Sequence, residues 1–155
     1  MATKTNAVRL VQQAGIPCRE AFYEFDEQDL SGVHAAQAIG MPEEQVFKTL
    51  VARGEKTGIN VFCIPVCCEL DLKKAAKAAG DKNMELVAVK ELLGLTGYIR
   101  GGCSPVGMKK HYPTFIDETC TLWDEIAVSA RGHQMIVPPQ PLADLVGAEL
   151  TDIIV

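Results

Sequence analysis

The sequence predicts a single α+β domain in which a mostly antiparallel sheet carries flanking helices. Three observations lead there. Residues 46 to 65 read as two apolar strands around a glycine turn, residues 71 to 80 read as a capped amphipathic helix, and no internal repeat, low-complexity tract or linker interrupts the chain. At 155 residues the chain has the ordinary size of one domain spanning residues 1 to 155. A domain of that size buries about 70% of its unfolded surface, so neither a disulfide nor a metal is needed to hold it together. With 48% hydrophobic and 23% charged residues the composition excludes a disordered chain.

Along the chain, Ala7, Leu10, Val11 and Ala14 recur at the spacing of one helical face and are followed by Gly15 and Pro17, which predicts a helix over residues 4 to 14. Residues 18 to 25 are rich in aromatics and predict a strand ending near Phe25, with Tyr23 at its end and a polar loop over residues 26 to 31. Ser31 is placed to cap a short helix running to Ile39 and stopped by Gly40, and Pro42 with Glu43 and Glu44 opens a further turn. The hairpin follows, with strands at about 46 to 53 and 59 to 65, and is expected at the centre of the sheet. Asp71 caps LKKAAKAAG, in which Leu72, Ala75, Ala76 and Ala79 form the stripe expected to be buried and Gly80 the stop. Residues 86 to 89 and a turn at 90 to 94 lead to a glycine-rich segment, then to strands near 114 to 117, 125 to 129 and 134 to 137. A last helix near 139 to 146 closes the domain. The pattern fits a barrel and a sandwich equally.

The formal net charge of −5 argues against a general coat for nucleic acid but leaves room for a local basic patch. No apolar run approaches the roughly 20 residues of a membrane span, and no secretory signal is visible at the N-terminus, so the expected compartment is the cytoplasm. The six cysteines include no C-x-x-C pair and are read as reduced thiols. Cys63, Cys67 and Cys68 are close in sequence, yet no second pair lies at finger spacing, so they read as small buried hydrophobes and no metal is expected.

Lys48 draws attention because strand alternation places it with Leu50 and Ala52 on one largely apolar face, opposite Phe47, Thr49 and Val51. An ammonium there costs free energy unless it snorkels to water, meets an anion, or serves a site that needs its charge. Periodicity alone does not choose among these. A second signal lies in residues 97 to 110, GYIRGGCSPVGMKK, with four glycines and one proline. Glycines let a backbone approach a ligand and turn its N–H groups toward an oxygen, as in main-chain oxyanion and phosphate sites.

Other constellations are missing. The sequence has no P-loop order, G-x-G-x-x-G, G-x-S-x-G or H-E-x-x-H, and no Ser-His-Asp assignment involving His34, His111 or His133 suggests itself. Cys103 and Ser104 lack a visible base to activate them and are ranked as loop lining rather than nucleophiles. Lys73, Lys74 and Lys77, together with Lys109 and Lys110, form local basic clusters. These either meet nucleic-acid phosphates or make a solvated face.

Taken together, VFKTL at 46 to 50, LDLKKAAKAAG at 70 to 80 and the glycine segment at 97 to 110 resemble the YbaK/EbsC family of free-standing aminoacyl-tRNA deacylases, relatives of the editing domain of bacterial prolyl-tRNA synthetases. The likeness runs in order from about residue 5 to residue 137. It implies a mixed, partly barrel-like sheet with flanking helices, no cofactor, and removal of cysteine mischarged onto proline tRNA, with prolyl-tRNA synthetase as a plausible partner. Lys48 matches the family's essential lysine, Tyr23 its tyrosine at the end of the first strand, and Gly101 the first glycine of the paired loop. Lys48 would bind the terminal adenosine phosphate or hold the ester, and N–H groups around Gly101 and Gly102 would bind the carbonyl oxygen as it becomes negative. Cysteine-specific members let the substrate's own thiol attack its ester, which suits a chain with no evident protein nucleophile.

Candidate substrate-binding positions are Tyr23, Thr49, Cys103, Ser104, Pro105, Ser129 and Gln134. Residues 129 to 134 form a shorter turn than relatives carry, with Gln134 at a position that is acidic or an amide in the family. One methylene is worth only about 1 to 3 kcal/mol of discrimination in a pocket, so a reshaped turn leaves alanine as an alternative amino acid. A tRNA-binding or synthetase-binding module without turnover is the alternative from another class.

Overall fold

The computed structural model describes residues 5–24 and 31–155. Its elements in chain order are α1 (Asn6–Gln13), β1 (Arg19–Ala21), α2 (Gly32–Ile39), β2 (Val46–Gly54), β3 (Gly58–Pro65), α3 (Leu72–Ala79), β4 (Glu85–Leu86), α4 (Val89–Thr96), β5 (Thr114–Asp117), β6 (Ile126–Ser129), β7 (Gln134–Val137), α5 (Pro139–Val146) and β8 (Glu149–Thr151).

Local chemistry explains the helix ends. The hydroxyl oxygens of Thr5 and Ser31 accept from the N–H groups of Val8 and His34, and one Asp71 carboxylate oxygen accepts from both Lys73 and Lys74 at 3.0 Å. Gly40, Gly80, Gly97 and Gly147 each take up the left-handed conformation that stops a helix.

The hairpin β2–β3 pairs in continuous register from Phe47↔Pro65 to Gly54↔Gly58 and occupies the middle of the sheet order β1-β7-β6-β2-β3-β5-β8, with β4 also on β2. Pairing is antiparallel in β1–β7, β2–β3, β2–β4 and β6–β7 and parallel in β2–β6, β3–β5 and β5–β8. The sheet is therefore mixed, and its path runs open from β1 to β8. Alternation along the strands sends Phe47, Cys63, Ile116, Val128 and Met135 to one face, under α1 and α5. Ala52, Phe62, Ile64 and Phe115 go to the other, under α3, with the Phe62 and Phe115 rings stacked at 5.3 Å. Val46, Val66, Ala127 and Ile136 pack with Ala36 of α2.

Several expectations are corrected. The turn expected at 90 to 94 lies inside α4, whose Glu91 carboxylate accepts the Ala88 N–H at 3.2 Å. The last helix does not close the domain: β8 adds to β5, and Ile154 bridges back to Leu70. Leu72 is exposed, because the stripe of α3 that faces the sheet is Ala75 and Ala76. In α1 the buried positions are Ala7, Val8 and Val11, while Ala14 lies exposed past its end. The first strand is only three residues long and leaves Tyr23 beyond its end. Phe25 and the loop expected after it, up to residue 30, lie outside the described residues.

Candidate functional site

The site begins at a gap in the hydrogen-bond ladder of β2. On one edge β6 pairs only with Val46 and Phe47, and β4 picks up the same edge only at Ala52 and Arg53. The Val51 carbonyl, which accepts from Val87 N–H at 3.0 Å, points to that edge. By the alternation of backbone groups the Thr49 N–H and C=O point there too, into the space between β6 and β4. This space opens into a cavity of about 410 Å³.

Its floor is Val46 to Val51, with Lys48 among them. The first turn of α2, from Ser31 to Ala35, forms one wall, and Leu86, Val87, Val89 and Leu92 form another. Ser129 and Gln134 close a third side, and Arg100, Gly101 and Cys103 complete the lip.

Lys48 sits opposite Ile64 of β3, on the face where α2 and α3 pack, and is half-buried. Tyr23 reaches the cavity from beyond β1, its ring edge-on to that of His34 at 6.2 Å. Thr49 lines the floor, its hydroxyl 3.7 Å from the Cys63 sulfur.

Ser129 and Gln134 face each other directly across the β6–β7 pair. Both are buried, and Ser129 Oγ and Gln134 Oε1 have no hydrogen-bond partner among the described residues. A buried oxygen without a partner carries its whole desolvation cost, so these two on one cavity wall are acceptors that a polar group entering the cavity can satisfy.

The glycine segment divides. Gly101, at φ +83, lines the cavity, whereas Gly102 is buried against the turn at Arg131 and Gly132 and gives its N–H to the Ile99 carbonyl at 3.0 Å. Cys103 lines the cavity as a buried thiol whose pKa burial pushes up to about 11, which keeps it protonated at neutral pH. Ser104 is fully buried and its hydroxyl oxygen accepts from Val106 N–H, a bond internal to the loop. Pro105 lines a second cavity of about 320 Å³ with Leu10, Lys110 and His111.

None of the five candidate tRNA-contacting lysines lines the first cavity. Lys73 and Lys77 are exposed on α3. Lys74 is committed to the Asp152 carboxylate at 2.9 Å and the Ile154 carbonyl at 2.8 Å. Lys109 is exposed beside Gly97, and Lys110 belongs to the second cavity.

Sequence reasoning missed the walls made by α2 and α4 and the contribution of Arg100. The α4 wall had a signal, since Val89, Leu92, Leu93 and Thr96 repeat at helical spacing before Gly97.

Residues 30–144 match the family model described as the aminoacyl-tRNA editing domain. The chain is 44% identical over 152 residues to EbsC of Enterococcus faecalis, a proposed Cys-tRNA(Pro)/Cys-tRNA(Cys) deacylase, covering 97% of this chain and 93% of that one. Among solved structures it is similar to a proposed trans-editing enzyme for prolyl-tRNA synthetase, with a TM-score of 0.79, 27% identity and 99% of each chain covered. It also shares its fold with the hypothetical protein APE2540, at a TM-score of 0.84 and 21% identity over 96% of this chain and 98% of that one.

Proposed function

This chain belongs to the aminoacyl-tRNA editing domain family, and on that premise we propose that it is a trans-editing deacylase that clears cysteine from mischarged tRNA(Pro) in the cavity over Lys48. One observation supports the placement above the others. A lysine, a left-handed glycine and two buried oxygens without a partner among the described residues, from four separate segments, face one cavity of about 410 Å³.

The terminal aminoacylated adenosine enters the cavity. Lys48 supplies the positive charge that holds the terminal phosphate or the ester oxygens, and main chain at Gly101 meets the carbonyl oxygen as it gains charge. Ser129 and Gln134 offer acceptors to the amino acid's ammonium group or to the ribose hydroxyls. Cys103 is held as a neutral thiol, and in this reading the attacking group is the substrate's own sulfur. That sulfur bonds to the ester carbonyl carbon, the carbon–oxygen bond to the ribose breaks, and the thiol proton ends on the ribose oxygen. The products are a cyclic thiolactone and deacylated tRNA. Confinement beside the carbonyl gives the thiol a large effective concentration, which a seryl analogue with its far weaker nucleophile does not exploit.

Incubation with a panel of mischarged tRNAs tests the reading. Cysteinyl-tRNA(Pro) is expected to be cleaved and the seryl ester spared, with Lys48→Ala lowering kcat/KM by roughly a hundredfold or more. Equal rates in the two proteins remove the lysine from the mechanism. Preference for alanyl-tRNA keeps the fold and site and changes the amino acid, and tRNA binding without cleavage leaves a binding module. The reading extends to prolyl-tRNA synthetase as a partner, supported by the description of the 27% identical solved relative. Co-sedimentation of the two proteins with tRNA(Pro) checks it.

A further inference from the structure

We propose that Phe22, backed by His133, is a stacking platform for the nucleobase that precedes the terminal adenosine of the aminoacyl-tRNA. The proposal rests on the deacylase reading above and adds a subsite outside the cavity.

Phe22 is 61% exposed, yet its ring is not loose. It lies 4.3 Å from the His133 ring and only 13° from parallel to it. His133 is itself buried, and its Nε2 is 3.0 Å from Glu20 Oε1, an acidic group on β1. One face of the phenyl ring is therefore fixed against a bonded, buried ring while the ring as a whole stays largely in water. An aromatic side chain held flat by the protein and open on its outer side loses little entropy when a second flat ring stacks on it.

The position of the ring ties it to the site. Tyr23, the next residue, lines the cavity, and so does Gln134, the residue after His133. Between platform and glycine loop stands the turn of Arg131, Gly132 and His133, which packs on Gly102. Arg131, held at a φ of 65°, is exposed on that turn, and Arg100 is exposed on the lip of the cavity. The chain segments that line the cavity thus also carry an open aromatic ring, Phe22, and two exposed guanidinium groups, Arg100 and Arg131. This is the pairing that single-stranded nucleic acid selects, a ring for the base and cations for the phosphates.

Size points the same way. A cavity of about 410 Å³ suits a ligand of the dimensions of an aminoacylated nucleoside, so the nucleotide before it must lie outside.

The test compares two substrates, cysteinyl-tRNA(Pro) and the cysteinyl ester of adenosine alone, which has no preceding base. Phe22→Ala is expected to raise KM for the tRNA about tenfold with kcat unchanged, as loss of one base stack implies, and to leave kcat/KM for the adenosine ester as it was. Phe22→Tyr and Phe22→Trp should restore the tRNA value. A second readout uses tRNA carrying 2-aminopurine next to the terminal adenosine and a non-cleavable amide in place of the ester. Binding should quench its fluorescence in the original protein and not in Phe22→Ala. Equal losses on both substrates would show that Phe22 acts on the cavity through His133 and would overturn the platform, as would unchanged KM with unchanged quenching. Cleavage of neither substrate by the original protein sinks the deacylase reading instead, and the quenching measurement then still decides whether the ring stacks on RNA.

Discussion

A Cβ built on Gly32 would stand 2.3 Å from Val66 Cγ1, so the first turn of α2 rests directly on the turn that follows β3. The same Cβ would lie 3.9 Å from the Cβ of Lys48, which makes Gly32 a spacer that sets the height of one cavity wall over the lysine. Its need for glycine is steric, not torsional. Gly32→Ala must push α2 away or displace Val66, at a cost of about 1 to 3 kcal/mol typical of overpacking. The expected outcome is a lower urea midpoint together with a larger loss of kcat/KM than of stability. Adding Val66→Ala removes the nearer obstruction but leaves the residue's own Cβ 2.8 Å away, so it should restore part of both. A double-mutant cycle with no coupling between the two positions would sink this account.

Ser129 and Gln134 lead to a prediction of opposite sign for stability and activity. Their Oγ and Oε1 atoms are buried and have no partner among the described residues, so Ser129→Ala should leave stability unchanged or raise it by up to about 1 kcal/mol. Removing an acceptor that the substrate would use should at the same time lower kcat/KM about tenfold or more. Chemical denaturation and deacylation measured on the same preparation check the pair. A clear loss of stability would mean that Ser129 serves the fold rather than the ligand.

How far the sequence carried these conclusions differs from residue to residue. Lys48 stood out because a cation interrupts an apolar strand, and its position on the face with Leu50 and Ala52 follows from alternation alone. The loop around Gly101 stood out by composition. Composition does not give the direction of an N–H group, and that is why the structure separates Gly101, on the cavity, from Gly102, bonded to Ile99, and turns Ser104 inward. Helix α4 is announced only by the spacing of Val89, Leu92, Leu93 and Thr96, because its N-cap is Ala88, which has no side-chain acceptor to mark a helix start. Strand β8 is three residues long and only partly buried, and it exists because β5 offers an edge far away in sequence. The gap in β2 between β6 and β4 is a property of pairing, which no local pattern encodes.

The hairpin that presents Lys48 has its own acid-sensitive clasp. Asp81, just past α3, accepts from Thr57 N–H at 2.8 Å, the Thr57 hydroxyl at 2.8 Å, Lys56 N–H at 3.1 Å and Lys82 N–H at 2.7 Å. Burial pulls its pKa up, but these hydrogen bonds, led by those from Thr57, outweigh it and hold the carboxyl well below the usual carboxylate range. A carboxylate with a depressed folded-state pKa stabilises the fold above its unfolded value, about 3.9, and loses that contribution as the pH falls toward the folded value. Asp81→Asn is therefore expected to be less stable than the original protein at pH 7, with the difference shrinking as the pH is lowered below about 4. Urea melts across that range check it. A difference that stays constant with pH would assign the clasp to geometry rather than charge.

Cys103 gives the sharpest chemical separation between a protein nucleophile and a substrate nucleophile. It lines the cavity beside Gly101, where an attacking thiolate would have to be, yet burial holds its pKa at about 11. Cys63 and Cys120 are pushed up to about 12 and about 11 by the same cause. The thiolate is the reactive form, so at neutral pH only a minute fraction of each is competent to attack an ester or an alkylating agent. Cys67, by contrast, lies exposed in the turn after β3, which corrects the buried position expected for it from sequence, and Cys68 beside it is only partly buried. Brief iodoacetamide treatment at pH 7 should modify Cys67 well before Cys63, Cys103 and Cys120, as read by peptide mass, and denaturation should abolish the difference. During turnover of cysteinyl-tRNA no acyl group should accumulate on Cys103, because the bond to sulfur forms within the substrate. A thioester trapped on that residue, or its rapid alkylation in the folded protein, would place the nucleophile on the enzyme and end the substrate-thiol mechanism.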